Sequence, residues 1–297
     1  MAFATKMRAK VLSLSSTALK PGVPSELLYG RTGYLSCLLF LEANAGLDLE
    51  QCDEDIKGIV DWILIEGREL AIALEEQEPG QARGMPLMWS WYGDLYIGAA
   101  HGVVGILRIL MRLSSTVESL GSSAQVKGCA KALLNLQTTS GNFPVVLDEN
   151  EDDLVHWCHG SPGAISALLQ AHALYNDEAY LHAAQRAGEL VFSRGLLRKG
   201  FGICHGVGGN GLALLSLYRS TGSDRHLGRA QRFGMFACRP NCEHHTAVKT
   251  GLRKQPDARY SLFEGMAGLA CFLASLLELP TCSGIERTAG LACPWIT

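Results

Sequence analysis

Two turns in the sequence combine the residue types that bind zinc. Each turn reads Cys-His-Gly, the first at positions 158–160 and the second at positions 204–206. A cysteine thiolate is a soft metal ligand and a neutral imidazole is a borderline one, so both suit Zn²⁺. A single Cys-His pair is more simply explained by a buried cysteine and a hydrogen-bonded turn histidine, but two copies of the turn favour a metal site. Neither turn has a CxxC spacing, so the fold has to bring them together.

Two such turns together can supply three protein ligands to one zinc ion. A site with three protein ligands leaves the fourth position to water or to a substrate, which is typical of catalytic zinc. Zinc lowers the pKa of a thiol that takes this position, so the thiol becomes a thiolate at neutral pH. The two turns therefore indicate a zinc site that can activate a thiol.

A second group of cysteine and histidine residues comprises Cys238, Cys242, His244 and His245. These residues could look like a second metal site, but they lie in a polar stretch without the repeated turn. We interpret this stretch as a loop in which the four residues are incidental. The other cysteines show no ligand pattern and, in a reducing compartment, are expected to be small buried residues.

Both Cys-His-Gly turns belong to a motif that occurs five times. The motif is a pair of glycines three residues apart, followed by apolar residues at helical spacing, and its first glycines lie at positions 30, 102, 160, 206 and 265. The separations suit a unit of two helices with connecting loops. We expect the first glycine to form a tight turn and the second to let the start of the helix approach its neighbour closely. The motif therefore predicts an all-α fold of repeated helical hairpins with GxxG turns.

The residue before the first glycine of each motif can also contribute to a site. These residues are Tyr29, His101, His159, His205 and Glu264. Repeated hairpins either stack as an open solenoid or close into a ring. If the units circle an axis, the five side chains gather at one end of it.

Composition excludes some classes of protein. Of 297 residues, 47% are hydrophobic and 19% are charged, which is typical of a compact soluble protein. A net charge of −3 gives no basic surface for nucleic acid. Residues 1–20 contain Lys6, Arg8 and Lys10, so we expect them to form neither a signal peptide nor a membrane span. We expect a cytoplasmic protein with at most peripheral association with the plasma membrane.

The motifs resemble those of the lanthionine synthetase C-like family, and most closely those of its animal members. The resemblance covers residues 26–279. It is carried by Tyr-Gly-Arg-Thr-Gly-Tyr-Leu at 29–35, Ala-His-Gly-Val-Val-Gly-Ile at 100–106, His-Trp-Cys-His-Gly-Ser-Pro-Gly at 156–163, Gly-Phe-Gly-Ile-Cys-His-Gly at 200–206 and Ser-Leu-Phe-Glu-Gly-Met-Ala-Gly at 261–268. The resemblance implies an α/α toroid, in which seven helical hairpins form a double ring with zinc at one mouth.

The resemblance also implies a set of site residues. The zinc ligands correspond to Cys158, Cys204 and His205, and His101 corresponds to an acid/base residue near the metal. A lone histidine at a turn is otherwise often only a hydrogen-bonding residue. In the animal members glutathione is contacted by a lysine before the second Cys-His-Gly and by a segment before the last motif. The corresponding residues are Lys199, Lys254, Gln255, Pro256 and Asp257.

The sequence departs from the family pattern at both ends. We count five repeat units where the family has seven, so we expect an incomplete toroid and a shortened form of the family. The expected organisation is an atypical N-terminal segment at 1–25, the toroid domain at 26–279 and a divergent C-terminal tail at 280–297.

The resemblance implies zinc-dependent addition of glutathione to dehydroamino acids in peptides or proteins, or to other activated alkenes. A non-catalytic protein that binds zinc and glutathione, or that acts as a scaffold, is the alternative. A glycosidase is a third hypothesis because helical toroids also house glycosidases with paired carboxylates. The spacing of the candidate acids does not predict such a pair. These acids are Asp94, Asp148, Asp152, Asp153 and Glu264.

Overall fold

The computed structural model describes residues 2–149, 152–197, 199–239 and 258–278. Over these residues the secondary structure is helical apart from two isolated β-bridges. The predicted all-α class is therefore confirmed. The described residues fall into two compact units. The first unit lies within 1–136, 144–150 and 173–176, and the second within 137–143, 151–172 and 177–297.

The first unit contains a run of α-helices around a buried central helix. They are α1 (Ala2–Leu12), α2 (Ser15–Ala18), α3 (Arg31–Ala45), α4 (Asp53–Gln77), α5 (Val103–Arg112), α6 (Ser114–Ser119) and α7 (Ser123–Asn135), with a 3₁₀ turn at Leu49–Cys52. Three acidic residues in the first turn of α4 stabilise the helix, because their negative charges lie at the positive end of the helix dipole. Helix α5 is buried from Val103 to Met111, and it packs against α3 and α7. The core of this unit therefore surrounds α5.

The second unit consists of most of α8 and the helices that follow it. They are α8 (Ser161–Tyr175), α9 (Glu178–Arg194), α10 (Val207–Thr221), α11 (Asp224–Cys238) and α12 (Met266–Leu277). The Asp177 carboxylate caps α9 by accepting a hydrogen bond from the Ala179 N–H at 2.9 Å. Helix α10 is buried from Val207 to Leu217 and packs against α9, α11 and α12. It is the central helix of this unit.

The glycine motif starts a helix at every copy. The first glycines directly precede α3, α5, α8, α10 and α12. Before α5 and α12 the first helical N–H donates to the carbonyl seven residues earlier, from Val103 to Tyr96 at 3.1 Å and from Met266 to Arg259 at 2.8 Å. At these two copies the motif therefore closes the loop that leads into its helix.

The second glycine of the motif packs against its own loop. A Cβ atom at Gly105 would overlap the carbonyl oxygen of Ala99, and one at Gly209 would overlap that of Ile203. The close approach expected at this glycine thus involves the backbone six residues earlier. The glycine pair therefore lets the start of the helix pack closely against the loop that carries the polar residues.

The N-terminal segment packs onto the start of α3 through Arg31. This side chain is fully buried, and it donates hydrogen bonds to the carbonyls of Ala18 and Lys20 and forms an ion pair with Glu66 at 2.6 Å. The domain boundaries at 25 and 279 stay predictions, and the tail at 280–297 lies outside the described residues.

Candidate metal centre and the His101 cluster

The second unit brings Cys158, Cys204 and His205 together. One ligand atom from each of the three side chains lies within 4.8 Å of the others. Within the described part of the chain, this is the one group of at least three metal-binding side chains that meets such a limit. The three residues selected through the family resemblance therefore form a cluster in space.

Backbone hydrogen bonds between loops create this cluster. The Cys158 N–H donates to the carbonyl of Cys204 at 3.1 Å, and the Cys204 N–H donates to the carbonyl of Phe263 at 2.7 Å. The loops that precede α8, α10 and α12 are thus joined in series at equivalent positions. Because the bonds involve the cysteines themselves, the register of the loops fixes the separation of the ligands.

Two buried amide side chains hold the segment that leads to Cys158. Asn142 donates to the carbonyl of Leu154 at 3.0 Å and accepts from the N–H and hydroxyl of Ser161, both at 2.9 Å. Asn210 of α10 donates to the carbonyl of Val155 at 3.0 Å. Gly160 has a φ of 109°, a conformation that side-chain-bearing residues rarely adopt. The first Cys-His-Gly turn is therefore held from both ends.

The donor set fits zinc. In a tetrahedral site with Zn–S bonds of about 2.3 Å, ligand atoms lie roughly 3.8 Å apart, and the observed limit of 4.8 Å is compatible with three corners of such a site. Cys158 is 7% exposed, whereas Cys204 and His205 are half-buried. The three residues can thus supply two sulfurs and one nitrogen and leave a side for a further ligand.

The electrostatics of the cluster favour a thiolate. A hydrogen bond from Cys158 and the contact with His205 together lower the pKa of Cys204 to about 6, against the opposing effect of burial. The same contact with Cys204, together with burial, raises the pKa of Cys158 well above its usual range. The Cys204 side chain also raises the pKa of His205. Cys204 is therefore the residue of the cluster that most favours a negative charge, which suits a bound cation.

Lys199 lies close enough to act on the cluster electrostatically. Burial, and then the charge of Lys199, lowers the pKa of His156 to about 3, and Lys199 also opposes the raised pKa of His205. The Lys199 side chain is exposed. The rings of His156 and His205 lie 5.9 Å apart. The other predicted glutathione contacts, Lys254, Gln255, Pro256 and Asp257, lie outside the described residues.

His101 belongs to the first unit and is oriented by a carboxylate. Its Nδ1 lies 2.8 Å from Oε2 of Glu26, which is 2% exposed. The Glu26 carboxylate also accepts hydrogen bonds from the N–H groups of Leu28 and Tyr29. Because an ionised carboxylate only accepts, the Nδ1 atom of His101 carries the proton. Glu26 was not predicted from the sequence, where the one signal was an acidic residue four positions before the first glycine.

The second group of cysteine and histidine residues is represented by Cys238 alone among the described residues. Cys238 ends α11 and is exposed. Cys242, His244 and His245 lie outside the described residues. Their interpretation as an incidental loop stays a prediction.

Comparison with known proteins assigns the family. The family model described as lanthionine synthetase C-like protein matches residues 4–281. This chain belongs to the lanthionine synthetase C-like family. Glutathione S-transferase LANCL1 of Danio rerio is 40% identical to this LanC-like chain over 260 residues, which are 87% of the chain and 60% of that relative. The chain thus spans less than two thirds of the length of this relative.

A solved structure shows the fold of this LanC-like chain. Nisin cyclase is similar with a TM-score of 0.59 and 18% sequence identity, over 86% of this chain and 64% of nisin cyclase. The similarity confirms the predicted class, an α/α toroid built from helical hairpins. Among the described residues of the LanC-like chain, no helix combines the length and the apolar character required to cross a membrane.

Proposed function

We propose that this LanC-like chain binds one zinc ion through Cys158, Cys204 and His205 and adds the thiol of glutathione to dehydroamino acids. The observation that carries the proposal is the clustering of the three ligand atoms within 4.8 Å of one another. The similarity to a relative named as a glutathione S-transferase supports glutathione as the thiol. The acceptor is a dehydroalanine- or dehydrobutyrine-containing peptide or protein, or another activated alkene.

Zinc bound at this cluster would supply Lewis acidity that keeps an added thiol ionised at neutral pH. The chain's own residues bind and orient the reactants. Lys199 carries a positive charge whose effect reaches His156 and His205. We assign it to a carboxylate of glutathione, because an ammonium group near the cluster pairs with an anion. Lys254, Gln255, Pro256 and Asp257 complete the proposed glutathione contacts.

The addition forms a C–S bond at the β-carbon of the acceptor and leaves an enolate. The enolate needs one proton at the α-carbon, and we assign its delivery to His101. The support for this role is orientation: Glu26 accepts from Nδ1, and the rings of Tyr29 and Trp91 stack against the imidazole at interplanar angles of 7° and 10°. A histidine held in one tautomer and one plane is suited to proton transfer at a fixed atom.

The test uses the purified full chain loaded with zinc, glutathione and a dehydroalanine peptide, with mass spectrometry to detect the thioether. We expect the adduct with the wild-type chain and its loss with Cys158→Ala. Cys238→Ala is the matched control, because this exposed cysteine lies outside the cluster, and it should behave like wild type.

A non-catalytic protein that binds zinc and glutathione is the result that would replace this proposal. It would be recognised by stoichiometric zinc and measurable glutathione binding in a chain that forms no adduct. We further propose a cytoplasmic location with at most peripheral association with the plasma membrane. Recovery of the chain in the detergent-requiring membrane fraction would contradict this location.

A further inference from the structure

A tight turn in the first unit presents aromatic rings to solvent. Trp91 and Asp94 exchange two backbone hydrogen bonds, at 2.9 and 3.1 Å, around Tyr92 and Gly93. Both central residues have positive φ, 51° at Tyr92 and 92° at Gly93, which is the pattern of a type I′ turn. Asn or Asp is usual at the first of these positions. The residue at this position is Tyr92, which is 88% exposed and leaves most of its ring open to solvent.

The rings around this turn form a continuous surface that includes His101. We call Tyr29, Trp91, Tyr92 and Tyr96 the aromatic wall. The ring of Trp91 lies 6.2 Å from that of Tyr29 and 5.6 Å from that of His101, with interplanar angles of 10° in both cases. The ring of Tyr92 meets Trp91 edge-on at 4.5 Å. Tyr29 is 74% exposed. The wall is therefore a large aromatic surface open to a ligand.

An acidic groove adjoins the aromatic wall through Tyr96. Residues 95–97 pair antiparallel with residues 145–147, through hydrogen bonds of 2.9 Å from Leu147 to Leu95 and 3.0 Å from Ile97 to Val145. This register places Asp94 across from Asp148. Together with Glu149, these carboxylates line a groove of about 400 Å³, which we call the acidic groove. The Tyr96 hydroxyl joins it to the wall by a 3.2 Å hydrogen bond to Asp94.

The charges of the groove are only partly compensated within the first unit. Arg83 lies 3.9 Å from Asp148, and both side chains remain more than half exposed. Like charges across an antiparallel pair destabilise it, so the arrangement of Asp94 and Asp148 does not serve the stability of the fold. Among the described residues that line the groove, the three exposed carboxylates are the charged groups, which gives the groove negative charge.

We propose that the aromatic wall and the acidic groove bind a basic segment of the peptide acceptor, with arginine or lysine side chains as the recognised groups. A guanidinium group stacks on exposed tyrosine faces and forms two hydrogen bonds with a carboxylate, so the two surfaces are complementary to the same side chain. The identification of this peptide as the acceptor rests on the proposed function. The binding of a basic segment to the aromatic wall and the acidic groove does not depend on the proposed function.

The test measures binding of two fluorescently labelled peptides of equal length by anisotropy, with the full chain and without glutathione. Neither peptide contains a dehydroamino acid. One carries several arginines, and in the other each arginine is replaced by glutamine. We expect the arginine peptide to bind at least roughly fivefold more tightly and to lose affinity as salt is raised. Equal affinities for the two peptides would overturn the proposal.

Variants of the two surfaces locate the binding. Tyr92→Ala should weaken the arginine peptide roughly fivefold, whereas Tyr92→Phe, which keeps the ring, should bind like wild type. Tyr92 is 88% exposed, so neither change should affect folding. Unchanged binding by Tyr92→Ala would remove the aromatic wall from the site.

The acidic groove has a control with the same change in net charge. The double variant Asp148→Asn with Glu149→Gln should weaken binding and flatten its dependence on salt. The double variant Glu54→Gln with Asp61→Asn removes two exposed carboxylates from α4 that do not line the groove, and it should leave the affinity unchanged. Equal losses of affinity in the two double variants would mean that binding depends only on net charge, and would overturn the assignment of the acidic groove as the binding site.

This test separates the inference from the proposed function. The peptides lack an electrophile, so their binding does not depend on zinc, glutathione or turnover. A chain that forms the thioether but does not distinguish the two peptides would contradict the docking surface alone. A chain that prefers the arginine peptide but forms no thioether would contradict the proposed function alone.

Discussion

The metal cluster of the second unit and the His101 cluster of the first unit are assembled in different ways. Cys158 and Cys204 are placed by backbone hydrogen bonds between loops of the same motif. His101 is placed by side chains outside the motif pattern, with Glu26 at its Nδ1 and Trp91 against its ring. The repeat thus fixes the proposed metal ligands directly, whereas the orientation of the histidine depends on residues particular to one loop. Substitutions in the two clusters should therefore affect different properties, zinc affinity in the first and the rate of thioether formation in the second.

The largest effect should follow removal of a metal ligand. Cys204→Ala removes a proposed thiolate ligand and the partner of both Cys158 and His205. We expect zinc affinity to fall by more than the roughly 10- to 100-fold typical of residues behind a ligand, with loss of thioether formation. Competition with a chelator measures the affinity. Retention of zinc with unchanged affinity would break the assignment.

Removal of His101 should separate chemistry from metal binding. We expect His101→Ala to lower the rate of thioether formation by roughly 10²- to 10⁴-fold, because the acid/base group is lost, while the zinc content stays at the wild-type value. Rate measurements on protein with measured zinc content test this. The exposed His182 on α9 offers a control, and His182→Ala should retain wild-type activity. Loss of zinc in His101→Ala would show a structural role.

Asn142, which holds the first Cys-His-Gly turn, should contribute measurably to the free energy of unfolding. Asn142 is fully buried and bonds the Leu154 carbonyl and Ser161. Asn142→Ala leaves these groups without their partner, so we expect a loss of about 3 kcal/mol in the free energy of unfolding. Asn44, an exposed residue of α3, is the control, and Asn44→Ala should cost less than about 0.5 kcal/mol. Similar denaturation midpoints for the two variants would contradict the role of Asn142.

The smallest expected effects compare two glycines of the second unit. A Cβ at Gly209 would overlap the Ile203 carbonyl in the loop of the metal ligands, whereas one at Gly228 of α11 would meet open space. Gly209→Ala should therefore cost about 1–3 kcal/mol of stability. Gly228→Ala should stabilise the chain by about 0.5–1 kcal/mol, because alanine favours a helix. Chemical denaturation gives both changes in the free energy of unfolding. Changes of the same sign would contradict the close packing of Gly209 against its loop.

The parts of the molecule that follow from the motif could be predicted from the sequence. The helix starts at positions 31, 103, 161, 207 and 266 follow from the glycine pairs, and the clustering of Cys158, Cys204 and His205 follows from the family resemblance. The helix starts depend on spacing within one motif, which a single sequence displays directly.

The features that sequence reasoning missed arise from contacts between distant segments. Glu26 and His101 are 75 positions apart, and nothing in the spacing pairs them. The pairing of residues 95–97 with residues 145–147 brings Asp94 and Asp148 into one groove, although their spacing in the sequence predicts no pair. Such pairs are set by the packing of different repeat units, and packing leaves no periodic signal in the sequence.

The X-ray absorption spectrum of the zinc-loaded chain tests the central claim most directly. The metal centre formed by Cys158, Cys204 and His205 predicts one zinc per chain with two sulfur ligands at about 2.3 Å and an imidazole nitrogen at about 2.0–2.1 Å. The Cys204→Ala protein should show no such spectrum, and Cys238→Ala should reproduce that of wild type. A zinc environment of oxygen and nitrogen alone, or two sulfurs that persist in Cys204→Ala, would contradict the account.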